Sequence, residues 1–270
     1  MPPSLSALVS CLLASMAGPT PAPQAQVVLV GIETRGAPWA FVPGLDYTKE
    51  DLTKPPAVSE AQLARLDGLD VDVMKALGRR MNVRMKVVPI LWGEIEAGLL
   101  EKQYDLILNA WTPTPRTPDG IVATVPYYKW GLLLAVRADD RRVRSYTDLE
   151  GMRVGHIPDA AVERALSALG AGVGAHAVVI YHGGGEGLFD RLESRKLDAV
   201  IFDSLYVRWR VAHDKAYRIV GEPLNELGYH VGVRRSDAAL YKQVQAAVKA
   251  LVSSPDMEAI RQKWEGAPGR

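Results

Sequence analysis

The chain has 270 residues, 48% of them hydrophobic and 23% charged, which is typical of a folded globular protein large enough to favour two lobes over one core. Its 32 basic and 31 acidic residues leave a formal net charge of +1, so no overall field favours nucleic acid or an anionic membrane, although a local patch is compatible with this balance. The single cysteine, Cys11, excludes an internal disulfide and a cysteine cage for a metal.

The first 26 residues predict a signal peptide and a loose mature end. A short run of apolar and small residues, Ser4 to Ala17, precedes a stretch rich in Pro, Ala and Gln. This run is too short to span a bilayer as a helix, and no other stretch is long and apolar enough to do so. The signal peptide therefore predicts a periplasmic or otherwise extracytoplasmic protein that is soluble or tethered only by its end. The segment Leu-Val-Ser-Cys that ends at Cys11 resembles the lipobox of bacterial lipoproteins, which makes Cys11 a candidate lipid anchor. Ordinary cleavage after Ala17 or Ala25 is the alternative.

From Val27 onward, short β-branched runs alternate with helical periodicities, which predicts an α/β fold with mostly parallel sheets. In the first half we expect strands at Val27–Ile32, Val83–Pro89 and Leu106–Ala110 and helices at Val71–Met81 and Trp92–Gln103. In the second half we expect strands at Leu132–Arg137, Val154–His156, Val178–Tyr181, Ala199–Phe202 and Tyr229–Arg234 and helices at Ala238–Val252 and Met257–Trp264. The loop 111–119 follows a buried strand, and open α/β sheets bind ligands in such loops.

No catalytic or metal-binding motif accompanies these elements in the sequence. The five histidines show neither i, i+4 spacing nor an H-E-x-x-H pattern. The Gly-rich stretch after His182 has no G-x-S-x-G nucleophile motif to accompany it. We therefore expect no metal, no cofactor and no enzymatic activity.

Four short motifs follow one another along the chain: Gly68-Leu69-Asp70-Val71-Asp72, Tyr104-Asp105-Leu106-Ile107, Thr114-Pro115 with Pro126-Tyr127-Tyr128, and Asp148 to Gly155. In this order they resemble the motifs of the bacterial extracellular solute-binding proteins of family 3. Each motif is weak by itself, and their ordered occurrence at matching intervals carries the resemblance. It covers nearly the whole chain after Val27.

The resemblance implies a two-lobed periplasmic-binding-protein-like fold (type II), with a ligand cleft between the lobes. We expect one lobe at residues 27–130 plus 231–270 and the other at residues 131–230. The implied function is closure on a small polar ligand, which is amino-acid-like, an amine or hydroxylated, and its delivery to an ABC permease. Two alternatives are a cyclohexadienyl- or arogenate-type dehydratase on the same fold and the ligand-sensing subunit of a membrane receptor.

The resemblance also implies ligand-contacting positions, which this sequence keeps only in part. Asp203 aligns with the acidic residue that pairs with the ligand's amino group, and Glu33 falls at an acidic position that faces the cleft or bonds local N–H groups. Thr117 stands where the family has its carboxylate-binding arginine, so Arg116 is either a substitute or a solvated loop residue. The family's hydroxyl-bearing helix start is Asp-Ala-Ala here, and Asp159 is better explained as an N-cap than as a ligand contact.

Aromatic residues are the remaining candidates for the cleft. The family's stacking ring falls at Gly36 and is missing, so Trp39 and Trp111 are expected to provide a replacement wall. Thr112 is a candidate hydrogen-bond donor to the ligand. Trp92 matches a common structural tryptophan of the family, and we expect it in the core.

Overall fold

A computed structural model of the chain describes residues 26–45, 53–156, 167, 168, 177–179 and 184–265. The signal peptide predicted before Gln26, with Cys11, and the cleft candidate Asp159 lie outside the described residues. Within these residues, no helix combines the length and the apolar character that crossing a membrane requires.

Strands and helices alternate along the described chain. The strands are β1 (Val27–Ile32), β2 (Arg35–Gly36), β3 (Ala40–Phe41), β4 (Arg84–Pro89), β5 (Leu106–Ile107), β6 (Ile121–Ala123), β7 (Tyr128–Trp130), β8 (Leu132–Arg137), β9 (Val154–His156), β10 (Ala177–Val179), β11 (Ala199–Asp203), β12 (Tyr217–Val220), β13 (Leu227–Tyr229) and β14 (Gly232–Arg234). The α-helices are α1 (Glu60–Leu63), α2 (Leu69–Met81), α3 (Ile95–Leu100), α4 (Gly184–Glu193), α5 (Ser204–His213), α6 (Ala238–Val252) and α7 (Pro255–Glu265).

The first lobe is built on a five-stranded sheet in the order β4-β1-β5-β14-β6. Strand β1 pairs in parallel with β4 and β5, whereas β14 is antiparallel to both of its neighbours. The strand predicted at Val27–Ile32 is confirmed with the same bounds. Because β1, β4 and β5 are parallel, the residues that follow them meet at one edge of the sheet.

Helix α2 covers this sheet and shows how the local sequence sets an element. Gly68 precedes it with φ of 137°, a conformation that residues with a Cβ avoid, and Asn82 ends it in the left-handed region. Leu69, Val73 and Leu77 are fully buried in the lobe's core. The predicted helix is confirmed and begins two residues earlier than expected, at Leu69 instead of Val71.

The second lobe is built on a five-stranded sheet in the order β10-β9-β11-β8-β12. All six residues of β8 are buried, because separate apolar clusters cover the two faces of this central strand. Leu134 and Ile201 belong to one cluster, and Leu133 and Phe189 belong to the other. Strand β11 runs antiparallel to β8, so that Asp203 pairs with Leu132 at the end of the sheet nearest the other lobe.

A two-stranded ribbon connects the lobes. Strands β7 and β13 pair antiparallel from Tyr128↔Tyr229 to Trp130↔Leu227, and the rings of Tyr128 and Tyr229 stack at 5.4 Å. After the second crossing, α6 and α7 pack against α2. The lobe limits near residues 130 and 231 stay a prediction.

Substitution of Gly68 is expected to destabilise the fold far more than substitution of Gly44. A Cβ at Gly68 would collide with the backbone carbonyl of Trp39, whereas a Cβ at Gly44, which also has positive φ, meets nothing within 4 Å. We expect Gly44→Ala to lower the free energy of unfolding by about 1 kcal/mol and Gly68→Ala by roughly 3 kcal/mol or more, as measured by urea unfolding. Equal losses would contradict this steric explanation.

Candidate functional site

The candidate site lies where the carboxyl ends of strands from both lobes approach each other. Glu33 follows β1, Trp92 follows β4, Trp111 follows β5, and Asp203 ends β11. Direct contact between the lobes is made by Trp39, whose indole lies 5.8 Å from the ring of Tyr206 in a stacked arrangement. The structure therefore brings together residues that are far apart in the sequence.

Asp203 is buried at this junction, with 8% of the residue exposed. One carboxylate oxygen accepts a hydrogen bond from the backbone N–H of Leu205 at 2.8 Å, which caps α5. The other accepts a short hydrogen bond from the hydroxyl of Tyr229 in the connecting ribbon. Burial raises the pKa of Asp203 from 3.8 to about 7, because removal from water disfavours the ionised form.

Trp39 ties the first lobe to this carboxyl group. Its indole N–H donates to the hydroxyl oxygen of Tyr229 at 3.1 Å, and that hydroxyl donates in turn to Asp203. The indole also meets the ring of Phe202 edge-on at 6.4 Å. Trp39 thus contacts the second lobe directly, and its proposed contact with a ligand stays a prediction.

Glu33 is engaged by a neighbour on the same loop. Its two carboxylate oxygens accept hydrogen bonds from the guanidinium of Arg35 at 2.7 and 3.0 Å, and its own backbone N–H donates to Asn109 at 2.8 Å. The side chains of Glu33 and Arg35 are 17% and 7% exposed. The carboxylate is therefore held in place at the end of β1 by an ion pair that the sequence analysis missed.

In the loop after β5, the polar groups of Trp111 and Thr112 are hydrogen-bonded to other residues of the chain. Thr112 donates to the carbonyl oxygen of Gly228 at 2.9 Å and accepts from the indole N–H of Trp130 at 3.0 Å, so it fastens this loop to the connecting ribbon. Trp111 is 3% exposed, and its indole N–H donates to Glu96 at 3.0 Å. Both residues position the cleft edge, and their contact with a ligand stays a prediction.

Thr117, at the position of the family's arginine, also contacts Glu96. The hydroxyl of Thr117 donates at 3.1 Å to the same carboxylate oxygen that Trp111 contacts. Arg116 is exposed, and its backbone N–H donates to the hydroxyl of Thr114 at 3.1 Å. The geometry leaves both interpretations of Arg116 open, and it identifies Glu96 as an acidic group that the sequence analysis missed.

The expectation that Trp92 lies in the core is wrong, because 50% of the residue is exposed. Trp92 begins a 3-10 turn three residues after the end of β4, and this turn leads into α3, which carries Glu96. The available signal was its place shortly after strand β4. An exposed indole offers a ring face of the kind that binds cations.

A second buried carboxyl group lies at the base of this region. Asp70, in the first turn of α2, is fully buried and accepts a hydrogen bond from the hydroxyl of Tyr127 at 2.6 Å. Its other oxygen has no hydrogen-bond partner among the described residues. Burial, with a smaller contribution from the charge of Asp203, raises the pKa of Asp70 to about 7.

One family model matches most of the chain. The family is described as bacterial extracellular solute-binding proteins, family 3, and the match covers residues 50–267. The L-arginine-binding protein of Pseudomonas aeruginosa is 27% identical over 218 residues, which cover 78% of this chain and 83% of that protein. The L-cystine-binding protein of Escherichia coli strain K12 is 22% identical and is aligned over 80% of each chain.

Solved structures of two-lobed binding proteins share the fold. Holo ArgBP from T. maritima is 26% identical, with a TM-score of 0.62, and the alignment covers 88% of this chain and 95% of that one. The second substrate-binding domain of Lactococcus lactis GlnP in the open conformation is 16% identical, with a TM-score of 0.70 and coverage of 92% and 99%. The two-lobed fold predicted from the sequence is confirmed.

The buried carboxyl groups predict a loss of stability as the pH rises. Between pH 4 and 7 the folded chain keeps the protons of Asp70 and Asp203 while the unfolded chain releases them, so the free energy of unfolding falls through this window. We expect Asp70→Asn to reduce this loss by roughly 2 kcal/mol or more, measured by urea unfolding at pH 5 and 7.5. Asp119→Asn, at an exposed position, is the matched control and should leave the pH profile unchanged.

Proposed function

This chain belongs to the bacterial extracellular solute-binding proteins, family 3, since the family model matches residues 50–267. We propose from this membership that the chain is exported and that it delivers its ligand to an ABC permease. The chain is a two-lobed solute-binding protein, since its relatives and structural neighbours bind solutes. They are not enzymes, and nothing favours the dehydratase alternative. The permease and a lipid anchor at Cys11 belong to the proposal.

We further propose that the ligand carries a cationic group, such as an amine or a guanidinium. The observation that supports this most strongly is the presence of Glu96 at the proposed cleft edge. Its carboxylate accepts a hydrogen bond from the hydroxyl of Thr117, the residue that stands where the family has its carboxylate-binding arginine. Trp92 is exposed after β4, and the carboxyl group of Asp203 ends β11 in the other lobe. A relative named for L-arginine, which bears a guanidinium, is consistent with this proposal.

Binding is expected to act through closure of the lobes. A ligand that contacts Asp203 in one lobe and the edge of the other gains both sets of contacts only when the lobes are together. The ribbon β7–β13 is the covalent connection about which such a movement occurs. The lobe limits at residues 130 and 231 are part of this proposal.

A thermal-unfolding screen tests the proposal directly. Arginine, lysine, linear polyamines, glutamine, cystine, sugars and organic acids are added to the exported form of the chain, beginning near residue 26. A ligand at 100 times its Kd stabilises the folded state by about 2.7 kcal/mol, which gives a clear rise in Tm. We expect the largest rise with a cationic compound. If an uncharged or anionic compound alone stabilises the chain, the cationic proposal fails, and if none does, solute capture is contradicted.

The affinity for a cationic ligand is expected to increase with pH. A cation next to Asp203 requires the ionised carboxylate, and at pH 6 a group with a pKa of about 7 is largely protonated, so binding must release a proton. We expect the Kd to fall by about tenfold between pH 6 and 7.5, measured by calorimetry in two buffers of different ionisation enthalpy to count the released proton.

The variant Asp203→Asn separates this effect from other titrating groups. An amide keeps an acceptor for the hydroxyl of Tyr229 but cannot ionise, so binding should be weaker and independent of pH in this range. Asp119→Asn serves as the exposed control and should bind as the unmodified chain does. A pH dependence that persists in Asp203→Asn would assign the proton to another group.

A further inference from the structure

The second lobe carries a group of arginines at the end of its sheet that points away from the cleft. Arg137 ends β8, and Arg218 lies in the neighbouring strand β12. Asp203 pairs with Leu132 at the opposite end of β8, five residues from Arg137. At about 3.3 Å per residue this places the arginines roughly 17 Å from the candidate ligand site, so they are a separate surface.

A depression of about 460 Å³ at this end of the sheet is lined by Arg141, Arg144 and Arg218, and we call it the arginine depression. In the part of the chain that the structure describes, no acidic residue lines it. Arg141 and Arg144 are exposed. A concave surface bounded by guanidinium groups alone concentrates positive potential, because the protein on its inner side has a lower dielectric constant than water.

The acidic residues beside the arginine depression are already engaged. Asp140 accepts from Arg142 at 2.6 Å, and its side chain is only 4% exposed. Asp198 accepts from Arg153 at 2.9 Å and also from Arg142. These guanidinium groups hold the pKa values of Asp140 and Asp198 below the usual value, so both carboxylates stay ionised in their own pairs.

Arg218 fixes the base of the arginine depression. Its terminal nitrogen donates to the backbone carbonyl oxygens of Asp140 and Val143, each at 2.6 Å, which holds the turn that carries Arg141 and Arg144. The Nε of Arg218 is buried, so it lies out of reach of a ligand in the arginine depression, and Arg218 contributes its positive charge to this surface.

Asp148 is an acidic residue bonded to the backbone of Arg144. Its carboxylate accepts hydrogen bonds from the backbone N–H groups of Arg144 and Ser145 at 2.7 and 2.9 Å. It therefore caps its own turn and does not line the arginine depression. Among the described residues, no side chain is hydrogen-bonded to the guanidinium groups of Arg141 and Arg144, and the nearby charge of Asp148 attracts Arg144 without such a bond.

We propose that the arginine depression binds phosphate-type oxyanions. Exposed guanidinium groups such as those of Arg141 and Arg144 bind phosphate oxygens through two parallel N–H donors, and the charge of Arg218 at the base adds to the attraction for an anion with several oxygens. Two sources supply this chemistry outside the cytoplasm: free phosphate compounds and the headgroups of anionic lipids. The inference is independent of the ligand bound in the cleft.

Two binding experiments separate these sources. Inorganic phosphate is titrated into the labelled chain while the Nε–H signals of arginine are followed by NMR. Retention on vesicles of phosphatidylglycerol is then compared with retention on vesicles of phosphatidylcholine alone. We expect phosphate to shift arginine signals in a manner that increasing salt weakens. Retention on the anionic vesicles indicates the lipid source, and its absence indicates a free phosphate compound.

The double variant Arg141→Gln, Arg144→Gln tests the assignment to the arginine depression. We expect it to raise the apparent Kd for phosphate by about tenfold or more, because two charge-assisted contacts are lost. Lys242→Gln, Lys249→Gln, on exposed positions of α6 in the first lobe, removes the same charge and should bind as the unmodified chain does.

Three results would overturn the proposal. Arginine signals that do not respond to phosphate would show that the arginine depression does not take this anion. Equal binding by the unmodified chain and the arginine double variant would place the anion elsewhere. A response to poly-glutamate without one to phosphate would assign the surface to an acidic protein partner. Thermal unfolding of both double variants, with the cleft ligand present, confirms that the fold and solute capture are intact.

Discussion

The hydrogen-bonded line from Trp39 through Tyr229 to Asp203 is the interaction on which the rest of the site depends. It joins a hairpin of the first lobe, the connecting ribbon and the end of the second sheet. A buried carboxyl group is tolerated only when its oxygens are bonded, so the position of each partner constrains the other two. Stacking of Trp39 on Tyr206 adds an apolar contact to this polar one.

The same line ends at one of two buried carboxyl groups whose pKa values are raised. Asp203 and Asp70 both have pKa values raised to about 7, the first next to Tyr229 and the second next to Tyr127. Two ionised carboxylates close together in a poorly solvated region repel each other, so at least one is favoured to be neutral. Under the proposal of a cationic ligand, a cation bound at Asp203 favours the ionised form of this carboxyl group.

Charge is separated along the molecule although the net charge is only +1. The guanidinium groups of Arg141, Arg144 and Arg218 gather at the far end of the second sheet, whereas the carboxyl groups of Glu33 and Asp203 at the ends of β1 and β11 are bonded to Arg35 and Tyr229. The near-cancellation of charges in the composition therefore conceals a local cluster of positive charge. Local potential, and not the total charge, decides what a surface attracts.

The sequence by itself determined the fold class, most strands and helices, and the two-lobed arrangement. Periodicity and motif order are local properties, and β1 and α2 therefore appear where they were predicted, apart from two residues at the start of α2. The tertiary structure decided which polar groups face each other: Glu33 with Arg35, Thr117 with Glu96, Asp203 with Tyr229. It also placed Trp92 at the surface, against the expectation from its family position. Thr117 and Glu96 are 21 positions apart and Asp203 and Tyr229 are 26 positions apart, and only the packing of whole elements brings such side chains within hydrogen-bonding distance.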